Sequence, residues 1–264
     1  DDTIISFCLK PDFLNILMRF FKQHDCVVSV RADHNKVYSD IYGLAKGKLI
    51  ANIHDHLVSY AKRIIVMNKK MAQKYAERLQ PKIKIIKNFD YDTQRYRKFQ
   101  LDDKTGYTIL IISRLTLKKI DIRQFRYLQN SNLNIHSIKI YGVGPDAEEI
   151  ITEANKYFPG KIVARGFVQN PFDEDHVNPI LSHFSFAEGF PRAILEASMC
   201  DLKVLASRLD GYEDYSTGLP NVCFMLVEQL TNTDLLSKHL DQKTEHIQLK
   251  YNSSVLKQYE EFLG

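Results

Sequence analysis

The sequence lacks the features that would place it in several special classes of protein. No apolar run approaches the roughly 20 residues that a membrane-spanning helix needs, and no charged-then-apolar secretory leader opens the chain. Its cysteines form no C-x-x-C pair and follow no metal-site spacing, which favours reduced thiols and the cytosol. They are Cys8, Cys26, Cys200 and Cys223. At 264 residues and 44% hydrophobic content, the composition indicates a soluble globular protein with one or two cores.

Short apolar runs alternate with helix-like segments along the chain. This alternation predicts an α/β protein with parallel sheets covered on both faces, whose functional residues lie just after the strands. The predicted strands are Ile4 to Phe7, Val27 to Val30, Ile64 to Met67, Ile83 to Ile86, Thr108 to Ile112, Ser137 to Tyr141, Lys161 to Ala164, His183 to Phe186, Lys203 to Ala206 and Val222 to Leu226. The predicted helices are Phe13 to Phe21, Tyr38 to Ala61, Lys69 to Leu79, Asp146 to Tyr157, Pro191 to Met199 and Asp234 to Leu240. The charged, non-periodic stretch Gln100 to Gly106 is the predicted linker.

The most informative segment runs from Phe186 to Ser207 and reads FAEGFPRAILEASMCDLKVLAS. Pro191 suits the first turn of a helix, so a helix is predicted to begin near it. Gly189 leaves room for a ligand, and the helix start favours an anion such as a diphosphate. Glu188 and Glu196 would flank that anion with acceptor-only carboxylates, which suit the hydroxyls of a nucleotide sugar. Taken singly, each glutamate more often only complements the helix dipole or points at water.

The string E-G-F-P, followed by L-E-A and a strand at Val204 to Ser207, resembles the donor-binding signature of retaining GT-B glycosyltransferases, glycosyltransferase family 4. The resemblance implies two Rossmann-like domains that face a cleft, with the donor held mainly by the C-terminal one. It implies that Glu188 approaches the donor sugar and that Glu196 holds the ribose hydroxyls. The implied donor site also includes Gly189, Phe190 and Pro191.

A basic turn follows one of the predicted strands. It contains Arg114, Lys118 and Lys119, and a guanidinium with an ammonium nearby is a suitable clamp for a diphosphate leaving group. The turn resembles the family's G-R-L motif and its following lysine, with Ser113 in place of the usual glycine. The spacing fits Lys119, or Lys118 in a different register, and a solvated basic turn is the alternative interpretation.

Three further turns follow strands of the second domain. Gly142 and Gly144 permit a tight turn and a close ligand approach, and they resemble the family's G-x-G-P turn, although a plain turn is an equal alternative. Gly166 lies where the family places backbone groups against the nucleobase. The segment Ser207 to Asp214 resembles the family's loop that ends in an acidic residue, here Asp214 or Glu213.

The front of the chain lacks the glycine-rich loop with which family members normally open. No glycine precedes Gly43, so we expect that the first strands of the N-terminal domain are absent from these residues. The predicted domains are residues 1–100, a partial N-terminal Rossmann-like domain on the acceptor side, residues 101–250, the donor domain, and residues 251–264, a helix that packs back on the first domain.

Positive charge is concentrated in the front half of the chain. Between Lys46 and Gln100 there are fourteen Lys or Arg and four Asp or Glu, a balance of +10, whereas the whole chain carries +4. This asymmetry is consistent with an anionic lipid surface or a lipid-pyrophosphate acceptor, each basic residue contributing roughly 1 kcal/mol near a membrane. A solvated helix face is an equal alternative. Nucleic acid is disfavoured because no binding motif or aromatic stacking platform accompanies the charge.

A His-Asp-His cluster lies at residues 54–56. Adjacent and alternate positions of a helix do not face one site, which argues against a metal centre there. The family often places a histidine near the donor sugar, and the candidate is His54, with a surface histidine as the commoner interpretation. His56 has no assigned role.

These features together predict a metal-independent retaining glycosyltransferase of the hexosyltransferase type, with no cofactor beyond its nucleotide-sugar substrate. The resemblance implies a glycan, a lipid-linked compound or another hydroxyl acceptor, as in cell-surface polysaccharide or glycoconjugate synthesis. The cysteines favour a cytoplasmic location, and the basic region 46–100 is consistent with a position at the inner face of the membrane. Two alternatives stay open: a GT-B nucleotide-sugar epimerase, and a non-catalytic partner subunit. The latter would be expected to lose Arg114, Glu188 or Glu196.

Overall fold

The strands of the chain form two parallel sheets in a computed structural model that describes residues 2–87, 97–99, 106–186, 188, 191–208, 218–242 and 248–263, with the backbone alone for 248–252. Contacts divide the chain into two units. One consists of Asp1–Asn88 with Ser253–Gly264, and the other of Phe89–Asn252. The predicted boundaries lay at residues 100 and 250, and most of the predicted linker, residues 100–105, lies outside the described residues.

The first unit is built on a four-stranded parallel sheet with the strand order β1-β2-β3-β4. Strand β2 is buried along its whole length, as its run of β-branched residues predicts. The strands are β1 (Thr3–Ser6), β2 (Asp25–Val30), β3 (Arg63–Val66) and β4 (Ile83–Ile85). The helices are α1 (Leu9–Arg19), α2 (His34–Tyr42), α3 (Leu44–Val58), α4 (Lys69–Gln73) and the 3-10 helix Glu77–Lys82.

The predicted single helix from Tyr38 to Ala61 is wrong, because the chain turns back between α2 and α3. Gly43 closes α2 with a positive φ of 83°, a conformation that glycine adopts without a steric penalty. The two helices then pack closely, and a Cβ on Gly47 would lie 2.3 Å from the backbone nitrogen of Ser39. The predicted helix Lys69 to Leu79 is also interrupted, and continues as the 3-10 helix that contains Pro81.

The second unit is built on a six-stranded parallel sheet with the order β10-β9-β8-β5-β6-β7. The predicted α/β architecture with two parallel sheets is thereby confirmed. The strands are β5 (Tyr107–Ile112), β6 (Ile135–Tyr141), β7 (Ile162–Gly166), β8 (Pro179–His183), β9 (Lys203–Ser207) and β10 (Val222–Met225). The helices that begin in this unit are α5 (Arg123–Gln129), α6 (Ala147–Tyr157), α7 (Arg192–Met199), α8 (Thr233–Asp241) and α9 (Gln248–Leu263).

The core of the second unit lies where α5, α6 and α8 cover one face of the sheet. It is formed by aliphatic side chains of β5 and β6 together with Phe125 of α5, and burying each such side chain contributes about 1.5–3 kcal/mol. Helix α5 was not predicted, because its sequence RQFRYLQ is short and mostly polar.

The end of α9 belongs to the first unit. Arg63 donates hydrogen bonds to the carbonyl oxygens of Phe262 and, at 3.1 Å, Leu263, and its guanidinium lies 5.5 Å from the centre of the Phe262 ring. No helix in the described parts of the chain is both long enough and apolar enough to cross a membrane.

Candidate functional site

Two loops meet at the centre of the six-stranded sheet, at the carboxyl ends of β5 and β8. The chain proceeds from β5 to β6 and β7 on one side, and to β8, β9 and β10 on the other. Parallel sheets bind ligands at such a switch point. The amide of Phe186 donates to the carbonyl of Lys118 at 3.1 Å, and the amide of Asp121 donates to the carbonyl of Phe184 at 2.8 Å. These bonds fix the loop after β5 against the segment after β8.

This pairing brings together two of the predicted site residues. The ammonium of Lys119 lies 2.8 Å from Oε2 of Glu188. Nε2 of His183, the last residue of β8, lies 3.7 Å from the other carboxylate oxygen, Oε1. Burial alone would raise the pKa of Glu188, but the neighbouring His183 and Lys119 outweigh it and hold that pKa below its usual value. The carboxylate is therefore ionised at neutral pH.

Arg114 lies on the same edge of the sheet, in an exposed position. Within the described ranges no acidic side chain pairs with its guanidinium. Lys118 is exposed too, and its carbonyl, rather than its ammonium, makes the contact with Phe186 that joins the two loops. Of the two lysines left open by the sequence, Lys119 is the one whose side chain reaches Glu188.

The glycines of the G-V-G-P turn lie against the backbone of the Arg114 loop. A Cβ on Gly142 would lie 1.9 Å from the carbonyl oxygen of Ser113, and a Cβ on Gly144 would lie 2.1 Å from that of Leu115. The amide of Leu115 donates to the carbonyl of Val143 at 3.1 Å. These glycines therefore position the loop that carries Arg114, and their role as direct ligand contacts stays a prediction.

Glu196 lies in α7, which begins at Arg192, one residue after the predicted start. Its Oε1 is 3.0 Å from a guanidinium nitrogen of Arg192, one helical turn earlier. Pro191 is the buried N-cap residue of this helix. Gly189 and Phe190 lie outside the described residues.

Gly166 ends β7 with a φ of 66° and has no atom within 4 Å of a Cβ position. Its carbonyl accepts a hydrogen bond from the amide of Gly142 at 2.7 Å, so the ends of β6 and β7 are tied together. The open space and the exposed side chain of Phe167 (76%) are compatible with the predicted nucleobase position. Most of the predicted acidic loop, including Glu213 and Asp214, lies outside the described residues.

His54 is not a surface residue: it is fully buried inside the first unit. Its Nε2 is 2.8 Å from Oδ2 of Asp12, and the hydroxyl of Tyr38 is 2.8 Å from its Nδ1. Because a carboxylate only accepts, Nε2 donates to Asp12 and Nδ1 accepts from Tyr38 in the neutral imidazole. The ring of His34 stacks on it at 3.9 Å. The tertiary fold thus uses His54 to join α1, α2 and α3, whereas His56 is exposed.

His183 was not singled out as a site residue by the sequence, which predicted it as the first residue of a strand from His183 to Phe186. That prediction is wrong, because the pairing with β5 and β9 places the strand at Pro179–His183, so that His183 ends it. The available signal was its position, a titratable residue in an apolar segment five residues before Glu188 of the E-G-F-P string. In the described parts of the chain, no three His, Cys, Asp or Glu side chains are arranged to hold a metal ion.

Solved structures show which fold these two sheets represent. HepE of Anabaena in complex with UDP-glucose matches with a TM-score of 0.75 at 15% identity, over 99% of this chain and 77% of its own. A variant of S. aureus TarM in complex with UDP matches with a TM-score of 0.67 at 16% identity, over 98% of this chain and 55% of its own. The lipopolysaccharide outer core galactosyltransferase WaaB matches with a TM-score of 0.65 at 13% identity, over 96% of this chain and 79% of its own.

No protein-family model and no curated protein sequence matches the chain. The likeness to HepE, TarM and WaaB, which are GT-B glycosyltransferases, shows that the chain, with its two parallel sheets, has the GT-B fold.

Proposed function

We propose that the chain is a glycosyltransferase that takes its sugar from a nucleotide-sugar donor bound at the carboxyl ends of β5 and β8. The observation that carries the proposal is the Lys119–Glu188 pair of 2.8 Å on the same edge of the sheet as the exposed Arg114. It places two cations and one ionised carboxylate at the switch point of the sheet. HepE, which shares this fold, binds UDP-glucose, and TarM binds UDP.

Arg114 and Lys119 would hold the diphosphate, with Lys118 at the rim. Negative charge develops on this group as the bond to the sugar breaks, and preorganised cations stabilise it most at that moment. Loss of one such donor typically costs about 3–4 kcal/mol in the transition state.

Glu188 would accept hydrogen bonds from hydroxyls of the donor sugar, because its ionised carboxylate is acceptor-only. Glu196 would hold the ribose hydroxyls from α7, while Arg192 keeps its carboxylate in place at 3.0 Å. The backbone around Gly166 would face the nucleobase. The resemblance of the E-G-F-P and L-E-A strings to family 4 supports these assignments.

The same resemblance supports a retaining, metal-independent reaction. In it, the bond between the anomeric carbon and the diphosphate oxygen breaks, and a bond to the acceptor oxygen forms on the same face. The acceptor proton passes to the departing diphosphate oxygen, so no separate base is needed.

The acceptor is proposed to be a glycan, a lipid-linked compound or another hydroxyl compound, used at the cytoplasmic face of a membrane. The balance of +10 between residues 46 and 100 supports contact with an anionic surface through Lys and Arg side chains. Vesicles with anionic headgroups should therefore bind the protein, and binding should weaken with added salt.

The test uses the full chain and a panel of nucleotide sugars, with thermal stabilisation and nucleotide release as readouts. R114A combined with E196A should lower the affinity for the best donor at least 100-fold, since each charged group contributes about 1.5–3 kcal/mol. K156A is the matched control, because Lys156 pairs with Glu153 on α6. Unchanged binding in the double variant, or no stabilisation of the wild type by any donor, would refute the donor site. Epimerised donor without transfer would favour an epimerase instead.

A further inference from the structure

A buried histidine, His183, faces the carboxylate oxygen of Glu188 that Lys119 does not contact. His183 is 5% exposed and closes β8, a strand buried along its whole length. Its Nε2 has no hydrogen-bond partner in the described part of the chain. Oε1 of Glu188 lies 3.7 Å from this nitrogen, slightly beyond hydrogen-bonding distance.

The two oxygens of Glu188 therefore have different neighbours. Oε2 contacts the ammonium of Lys119 at 2.8 Å, and that side chain is 37% exposed. Oε1 faces the imidazole of His183, whose side chain is 4% exposed. Lys119 can move towards a ligand, whereas His183 is fixed by the packing of β8 between β5 and β9.

A bound diphosphate would compete with Glu188 for Lys119. It carries more than one negative charge, so the lysine ammonium would shift towards it. The glutamate side chain, only 13% exposed, would then lose part of its charge compensation, which is costly for a buried carboxylate. A movement of about 0.8 Å would bring Oε1 to a normal hydrogen-bond length from His183.

We propose that His183 is a positioning residue, which holds the Glu188 carboxylate in place when the donor diphosphate draws Lys119 away. The displacement of Lys119 by the donor diphosphate, here called the handover, rests on the proposed function. The contact between His183 and Glu188 does not. The two parts can therefore be tested separately.

The first experiment needs no ligand. The stabilities of H183L, E188Q and the double variant are measured by urea unfolding. H183L should lower the folding equilibrium constant at least fivefold more in the wild-type background than in the E188Q background, because only the ionised carboxylate needs the imidazole. S182A is the control, since the Ser182 hydroxyl donates to Gln124 at 2.7 Å and should be additive with E188Q. Additivity of H183L with E188Q would overturn the proposal whatever the protein binds.

The second experiment measures the affinities for UDP and UDP-glucose by calorimetry. H183L should leave UDP affinity within twofold of the wild type and lower UDP-glucose affinity at least tenfold, because only the sugar needs Glu188 in place. H183Q should recover most of that loss, since its amide nitrogen can donate from a position near Nε2.

Equal losses for UDP and UDP-glucose in H183L, or no recovery in H183Q, would show that His183 only supports packing and would overturn its positioning role. Failure of both nucleotides to bind the wild type would refute the donor site and the handover. In that case the ligand-free cycle still decides whether His183 holds Glu188.

Discussion

Gly142→Ala tests whether the glycine turn after β6 sets the position of Arg114. The new Cβ would lie 1.9 Å from the carbonyl oxygen of Ser113, so the loop after β5 must move by at least about 1 Å. The residue would also keep a φ of 126°, which L side chains rarely adopt. Overpacking costs roughly 1–3 kcal/mol and a strained backbone about 1–3 kcal/mol, so a total near 4 kcal/mol is expected.

In a unit of this size, about 4 kcal/mol corresponds to a fall in Tm on the order of 10 °C, measured by calorimetry on the full chain. UDP affinity, measured well below Tm, should fall at least tenfold because the Arg114 loop is displaced. Gly160→Ala is the matched control: its φ is 73° and no atom lies within 4 Å of its Cβ position, so only backbone strain is added. Equal Tm losses in the two variants, or unchanged UDP affinity in Gly142→Ala, would refute the reasoning.

Three further outcomes are expected. Burial, with the charge of Lys203 adding to it, lowers the pKa of His239 to about 4. Because the unfolded histidine titrates near 6.5, the folded protein should lose about 3 kcal/mol of stability as pH falls from 6.5 to 4. Urea midpoints of His239→Gln should therefore vary less than those of the wild type over that range. Asp12→Ala should lower the free energy of unfolding by about 1–3 kcal/mol, since it leaves the buried Nε2–H of His54 without its acceptor. Asp12→Asn should lower it less, and equal urea midpoints for the two variants would contradict this expectation. Gly47→Ala should lower Tm more than Gly43→Ala, because only the former meets the backbone of α2, at 2.3 Å.

Local sequence patterns were sufficient for most of the strands. Runs such as Thr108 to Ile112 and Val204 to Ala206 are short and apolar, and such runs form buried parallel strands where helices cover both faces. The helix starting near Pro191 was predicted for a similar local reason, since proline fits only the first turn. Both predictions fall within one or two residues of the observed elements.

Other elements depended on contacts that local patterns do not contain. The break at Gly43 was missed because a glycine within a helical pattern is compatible with both a continuous helix and a helical hairpin, and the packing of α2 on α3 decided between them. The short polar helix α5 exists because Phe125 and Leu128 enter the core of the second unit. His54 became a buried link between helices because Asp12, from a distant part of the chain, accepts a hydrogen bond from its Nε2.

The sequence by itself determined the α/β class, the positions of most strands and the set of charged residues after β5 and β8. Only the tertiary structure decided that Lys119, rather than Lys118, reaches Glu188, and that His183 faces the other oxygen of that carboxylate. The physical reason is the order of the strands. Because β8 pairs with β5, backbone hydrogen bonds join the two following loops, and this contact between distant segments has no counterpart in local spacing or propensity.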